Sequence, residues 1–346
     1  MARGSLDKID SDRAVTAFRE IEIPLPAGTG AGTRKAPADQ LRSGEPRTAR
    51  PRPSGARAVR SRIGAYVALT KPRIVELLLI TTLPTMIVAA RGWPPGGLVV
   101  LTLVGGALAA GGANAMNMVA DRDIDKVMRR TRNRPLVTGA LTVPEAVVFA
   151  VVLEAMGFGE LWLWVNPLSA VLAVSATVFY VLVYTMWLKR TSTQNIVVGG
   201  VAGAVPVLVG WAAVTGSLSW TPVVLFAVIF VWTPPHFWAL AVKYKDDYSA
   251  AHVPMLPSVA TFRRTAVEIL LYTVCLVAVS LLLAAVAHLG PIYVASASLL
   301  GALFIAMVAR LWHQATPKAA MAVFSYSITY LTLLFVAMAV DVFARR

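Results

Sequence analysis

From residue 74 onward the chain alternates long apolar stretches with short polar breaks. Nine stretches stand out, near 74–90, 97–118, 143–163, 168–187, 195–215, 220–241, 266–287, 291–312 and 321–342, each bounded by Pro, Gly, Trp or charge. About 20 apolar residues in a helix are enough to cross the hydrocarbon of a bilayer. The pattern therefore predicts an all-α integral membrane protein with nine transmembrane helices. The first stretch is short, and is expected to extend back through Tyr66 or to pack obliquely. Upstream the pattern is lost: no apolar run precedes about residue 63, so no secretory signal is expected. Asp7, Asp10, Asp12, Glu20 and Glu22 argue against an acid-poor transit peptide. Residues 1–60 read as a disordered basic cytoplasmic tail, most clearly over the Gly/Pro/Arg-rich part 26–60, and 61–346 as a polytopic membrane domain.

Composition agrees. Apolar residues make up 57% and charged residues 14%, against roughly 25% charged in soluble domains. Mean hydropathy is +0.66. The net charge of +14 does not imply nucleic acid. Residues 1–73 contribute 15 Lys/Arg against 7 Asp/Glu, without interleaved aromatics or a nucleic-acid fold signature. A basic tail beside a membrane span reads as a topology determinant or a contact with anionic lipid. The single cysteine, Cys275, lies in an apolar run and excludes a disulfide framework.

Charge also sets orientation. Loops 119–142, 188–194, 242–265 and 313–320, with Arg310, carry 14 Lys/Arg, whereas the alternate loops carry Arg91 alone. Positive charge collects on the cytoplasmic side, which places the tail and these four loops there; Arg345 and Arg346 run against the rule but lie outside any loop. Two of the four loops are long and acidic. They follow the second and sixth spans, a spacing that suggests two similar halves contributing to one site.

The second span runs into GGANAMNMVADRDIDKVMRRTRNRP. Asn117, Asp121 and Asp125 are four apart, so at 100° per residue they share a helical face, while Asp123 falls on the far side and is expected to be solvated. An amide oxygen and two carboxylates on one face repel one another unless a cation sits among them. Such oxygens suit Mg²⁺, which is commonly completed by substrate phosphates. Arg129, Arg130, Arg132 and Arg134 follow and could clamp phosphate oxygens, or could be ordinary positive-inside arginines.

The sixth span runs into VWTPPHFWALAVKYKDDYSAAHVPMLP. On one continuous helix His236, Lys243 and Asp247 share a face, with Asp246 peripheral. Lys243 and Asp247 would sit at the rim, and His236 would lie about 16 Å deeper than Asp247. An ionisable group at membrane depth is a functional candidate. The alternative is a structural histidine satisfied by the backbone or a hydroxyl of a neighbouring helix, and the carbonyls freed by Pro234 and Pro235 offer one such partner. Gly199, Gly200 and Gly203 supply small residues for helix packing. Trp93, Trp162, Trp187, Trp211 and Trp220 read as interfacial anchors. Nothing further selects Glu154 or Glu268.

At these residues the chain resembles the UbiA-type intramembrane prenyltransferases, whose first motif, Asn-x3-Asp-x3-Asp, is met by Asn117, Asp121 and Asp125. The stretches TKPRIVELLLITT (70–82), NAMNMVADRDIDKVMRRTRNRP (114–135), YTMWLKRTSTQNIVVGGVAGAVP (184–206) and TPPHFWALAVKYKDDYSAAHVPMLP (233–257) are similar to the branch of that family that farnesylates heme. The resemblance implies a UbiA-type horseshoe bundle of nine spans around a lipid-open cavity. It implies farnesyl diphosphate and protoheme IX (heme B) as substrates, heme O as product and Mg²⁺ as cofactor.

The implied catalytic residues are Asn117, Asp121, Asp125, Lys243, Asp247 and His236. Asn117, Asp121, Asp125 and Asp247 are implied metal ligands, and Lys71, Arg73, Arg134, Lys189 and Arg190 are implied contacts for the diphosphate. His236 would either meet the heme iron or direct water. The setting would be a bacterial plasma (inner) membrane, with heme A synthase or oxidase assembly factors as candidate partners and no nucleic acid. Two positions depart from the family pattern. Lys243 stands where the second motif commonly has Asp, and Val207 follows Pro206 where two prolines are usual. Rival readings are a prenyltransferase acting on a quinone precursor, a secondary transporter and an assembly scaffold. Carboxylates gathered at one face disfavour transport, whose sites lie near the midplane, and a scaffold would need neither acidic loop.

Overall fold

A computed structural model describes the backbone of residues 55–345 and the side chains of 61–345. The expected disorder of the tail lies outside the described residues up to 54. Helix α1 (Gly55–Thr70) starts inside the expected tail, so the boundary anticipated at 60–61 falls within a helix. The Ala- and Arg-rich sequence there favours helix, and Ala65 and Leu69 bury against Met118, Leu136 and Ala146.

Among the described residues nine helices are long and apolar enough to cross a membrane. They are α2 (Pro72–Ala90), α3 (Gly96–Ala120), α6 (Val143–Val165), α7 (Pro167–Thr191), α8 (Asn195–Thr215), α9 (Trp220–Lys243), α12 (Phe262–Val286), α13 (Pro291–Gln314) and α14 (Pro317–Ala344). The expected spans agree with these to within a few residues. Short helices α4 (Arg122–Val127) and α5 (Pro135–Thr138) fill the loop after α3, and α10 (Lys245–Ala250) and α11 (Leu256–Val259) fill the loop after α9.

The helix boundaries follow local chemistry. Pro72, Pro167, Pro291 and Pro317 stand in first turns, where their missing N–H costs nothing. Thr142 and Glu145 close a capping box on α6. The nine spans follow one another around the bundle, each packed on the next, and α14 closes against α2. Close approaches use small residues: Gly199 lies against the Tyr184 ring and Gly200 against Thr233, whereas Gly203 faces open space. Trp93, Trp162, Trp187 and Trp220 are exposed at span ends, while Trp211 packs on the main core cluster.

Two stretches widen from the α-helical ladder to the i→i+5 pattern of a π-helix: Leu161–Val165, ending α6, and Phe179–Leu188 within α7. The second carries side chains of the candidate site.

Candidate active site

α3 ends at Ala120, Asp121 takes φ −87° and ψ 3°, and α4 resumes at Arg122. The hydrogen-bond ladder passes through this junction. Asp121 N donates to Asn117 O and Asp125 N to Asp121 O, both at 2.9 Å. The four-residue spacing thus keeps its face. Asn117, Asp121 and Asp125 are all buried, at 1–2% exposure. Asp123 is exposed on the opposite side, where Arg190 grips its two oxygens at 2.7 and 2.8 Å. That hydrogen bond holds the Asp123 carboxyl down at about 2.

Each buried oxygen carrier faces a cation from a different element. Lys71 Nζ donates to Asn117 Oδ1 at 2.5 Å, Lys189 Nζ to Asp121 Oδ2 at 2.5 Å, and Arg134 Nη1 to both oxygens of Asp125 at 2.8 and 2.6 Å. Lys71 comes from the break between α1 and α2, where it is left-handed at φ 52°. The following Pro72 disfavours the α region for it, and Asn114 Nδ2 holds the carbonyl of Thr70 at 3.0 Å. A non-glycine residue in this conformation stores strain that the surroundings must hold, a feature common at functional sites. Burial, reinforced by the charge of Arg134, pushes the Lys71 ammonium down to about 7.

The other diphosphate candidates divide. Lys189 and Arg134 join the buried group. Arg190 instead pairs with Asp123 and donates to Ala120 O at 2.9 Å. Arg73 is exposed and makes no ion pair among the described residues.

The second acidic loop departs from the continuous helix anticipated. α9 ends at Lys243, Tyr244 breaks it at φ −108° and ψ 21°, and α10 starts at Lys245. The continuous helix assumed for His236 through Asp247 is interrupted at Tyr244, whose ring lies under Lys243 Nζ at 5.3 Å and Arg130 at 5.7 Å. Asp247 nonetheless reaches the first loop, where its Oδ2 accepts from Arg130 N at 3.3 Å. An open cavity of about 360 Å³ lies between the two loops, lined by Arg129, Arg130, Lys243, Tyr244, Asp246 and Asp247. Asp246, expected to be peripheral, therefore lines the same cavity as Asp247. Ile124 and Met128 of one loop join Tyr248, Val253 and Met255 of the other in one buried cluster.

His236 is buried between Trp232 and Phe324, with ring centroids at 4.2 and 4.6 Å, and has Phe237 edge-on at 5.1 Å. Its Nδ1 lies 2.7 Å from Ser327 Oγ. Ser327 spends its proton on Phe324 O at 2.6 Å, so toward the imidazole its oxygen can only accept, and Nδ1 carries the hydrogen. Nε2 has no hydrogen-bond partner among the described residues. The hydroxyl of a neighbouring helix therefore satisfies one nitrogen and leaves the other without a partner among the described residues.

A divalent ion suits part of this donor set. Asp121 Oδ1 is buried without a hydrogen-bond partner, an orphaned acceptor of the kind a hard cation would satisfy. Among the described residues no three His, Cys, Asp or Glu side chains form a ready cage. Mg²⁺ here would draw on the Asn117 amide oxygen and on substrate oxygens. Sequence reasoning missed Thr185, Asn114, Tyr244 and Ser327. Each acts on a site residue through tertiary contact, and no local motif marks it.

A family model described as the UbiA prenyltransferase family matches residues 78–337. A relative from Renibacterium salmoninarum named protoheme IX farnesyltransferase is 54% identical over 284 residues, covering 81% of this chain and 89% of the relative. Others of that name from Nocardioides sp. (52% identical, 82% and 92% covered) and Frankia alni (53%, 81% and 98%) are similar. Among solved structures, a UbiA homolog from Aeropyrum pernix K1 superposes with a TM-score of 0.61 at 19% identity, over 78% of this chain and 98% of its own. One from Archaeoglobus fulgidus bound to GPP and Mg²⁺ gives 0.56 at 16%, over 81% and 99%. At these identities the superpositions establish a shared fold.

Proposed function

The chain belongs to the UbiA prenyltransferase family, and from that premise we propose that it transfers the farnesyl group of farnesyl diphosphate to a vinyl group of protoheme IX, with addition of water, giving heme O and diphosphate. The observation that carries this reading is identity above one half, over about four fifths of the chain, with relatives named protoheme IX farnesyltransferase. The buried oxygen carriers ringed by cations supply chemistry to match.

Asn117, Asp121, Asp125 and Asp247 would hold Mg²⁺, an ion that a solved structure of the same fold binds together with GPP. When bound, the ion neutralises charge on the diphosphate and so eases departure of the leaving group. Lys71, Lys189 and Arg134, already turned toward Asn117, Asp121 and Asp125, bind the diphosphate oxygens and stabilise the charge that develops as the allylic C–O bond breaks. Lys243 and Arg73 act further out, and Arg190 stays on Asp123. The bond pair leaves with diphosphate, the vinyl π-electrons attack the farnesyl carbon, and water adds to the new cation beside the porphyrin with loss of a proton. Burial of the site keeps water from the farnesyl cation beforehand. His236, with Nδ1 held by Ser327 and Nε2 unpartnered among the described residues, serves the porphyrin half of the reaction.

The reading places the basic loops and the N-terminus in the cytoplasm of a bacterium, with the bundle in its plasma membrane. It places the product upstream of heme A, with heme A synthase or oxidase assembly factors as partners.

The test is to incubate membranes containing the chain with heme B and farnesyl diphosphate, with and without Mg²⁺, and to identify the porphyrin by mass. Heme O formed only with Mg²⁺ is expected. A prenylated aromatic acid formed instead, when one is supplied, would assign the chain to quinone chemistry.

A further inference from the structure

Asn117 is the one member of the proposed metal set whose two faces differ chemically. Its amide offers an acceptor oxygen on one side and a donor NH₂ on the other. Only the oxygen serves a cation, so some contact must decide which way the amide points. Thr185 is fully buried in the π-helical stretch of α7. Its Oγ1 donates to Tyr180 O, five residues back, at 2.8 Å, a carbonyl that can only accept. With its proton committed there, Oγ1 can only accept from Asn117, and Asn117 Nδ2 donates to it at 2.9 Å. The amide is thereby turned so that Oδ1 faces Lys71. A reversed amide would set oxygen against oxygen at Thr185 and nitrogen against ammonium at Lys71.

The wide turn is part of this device. In an α-helix a threonine hydroxyl reaches carbonyls three or four residues back. Here the π-ladder offers the carbonyl five back, and π-turns recur at functional sites. We propose that Thr185 is a positioning residue that locks the Asn117 amide with its oxygen toward the diphosphate and its divalent cation. This rests on the function proposed above, since it presumes a cation at Asn117.

Thr185→Val keeps the shape and removes the hydroxyl; Thr185→Ser keeps the hydroxyl. The measurement is Mn²⁺ binding to the purified full chain in detergent with farnesyl thiodiphosphate present, reading free Mn²⁺ by electron paramagnetic resonance. One hydrogen bond sets the scale, so Thr185→Val should weaken Mn²⁺ binding about fivefold to tenfold. Thr185→Ser should restore it. In an Asn117→Asp background, where both ends of the side chain are oxygen, Thr185→Val should have little effect on Mn²⁺. That non-additivity is the signature of an orienting contact.

Thermal unfolding without Mn²⁺ is followed in parallel. A Thr185→Val protein that melts lower but binds Mn²⁺ as the parent does would overturn the inference and leave the function standing. The same weakening in both backgrounds would also overturn it. A parent chain that binds no Mn²⁺ with the diphosphate analogue would overturn both.

Discussion

Asp121 meets Lys189 at the same register at which Asn117 meets Thr185, each pair 68 residues apart, so α3 and α7 run side by side with matching four-residue steps. The Asp121 carboxylate is therefore held by one lysine through Oδ2, while Oδ1 is buried and unsatisfied. Burying a carboxylate at half satisfaction is costly, which makes it a strong acceptor for a cation brought with substrate. Asp121→Ala is expected to lower heme O formation at least about 100-fold, the scale on which charge-stabilising groups act, while the folded protein stays in membranes. Turnover near the parental level, measured with protein amount equalised, would remove Asp121 from the site.

Asp123 tests the helical face from the other side. It is exposed and paired with Arg190, and exposed pairs contribute about 0–1 kcal/mol. Asp123→Asn should change kcat/KM for farnesyl diphosphate less than about twofold. Arg190→Gln should then behave like Asp123→Asn, because the structure gives that guanidinium to Asp123 rather than to the buried group. If Arg190→Gln instead raises KM strongly while Asp123→Asn does not, the arginine leaves its aspartate to bind substrate.

The nine spans were legible because apolar length alone determines a membrane helix. The Asn117, Asp121, Asp125 face was legible because its backbone ladder continues past the end of α3. The continuous helix assumed from His236 to Asp247 was not legible as broken, because no local residue pattern announces the interruption at Tyr244. Thr185 was missed because it acts between helices, meeting Asn117 from 68 positions away. Ser327 was out of reach altogether, since it meets His236 from 91 positions away.

The Nδ1–H tautomer makes a prediction for heme. A ligating histidine usually gives its other N–H to a fixed acceptor, and removing that acceptor weakens metal binding about 10- to 100-fold. Ferric heme B added to the purified chain should therefore shift its Soret band. His236→Ala should lose the shift, and Ser327→Ala should need about ten times more heme to reach it. A band unchanged by His236→Ala would leave the imidazole as a packed member of the Trp232–Phe324 stack, and free to direct water.

At the opposite face of the bundle Asp341 offers a stability test separable from catalysis. It is buried near the end of α14, accepts from Gly290 N at 2.5 Å and from Tyr293 N at 3.3 Å, and has Arg345 3.9 Å away. Those amides open α13, where Gly290 and Pro291 begin the helix. A carboxylate there satisfies donors with no intrahelical partner and suits the positive end of the helix. Asp341→Ala would leave both N–H groups buried without an acceptor, at a cost of about 2 kcal/mol or more. Gly290→Ala should destabilise by a different route, since a Cβ there would come within 2.9 Å of Asp341 Oδ1 and 2.6 Å of Arg345 Cδ. Thermal unfolding in detergent should fall for both variants. KM for farnesyl diphosphate, measured well below the unfolding range, should not change, because the contact shares no residue with the acidic loops. A raised KM in either variant would mean that the two ends of the bundle are coupled.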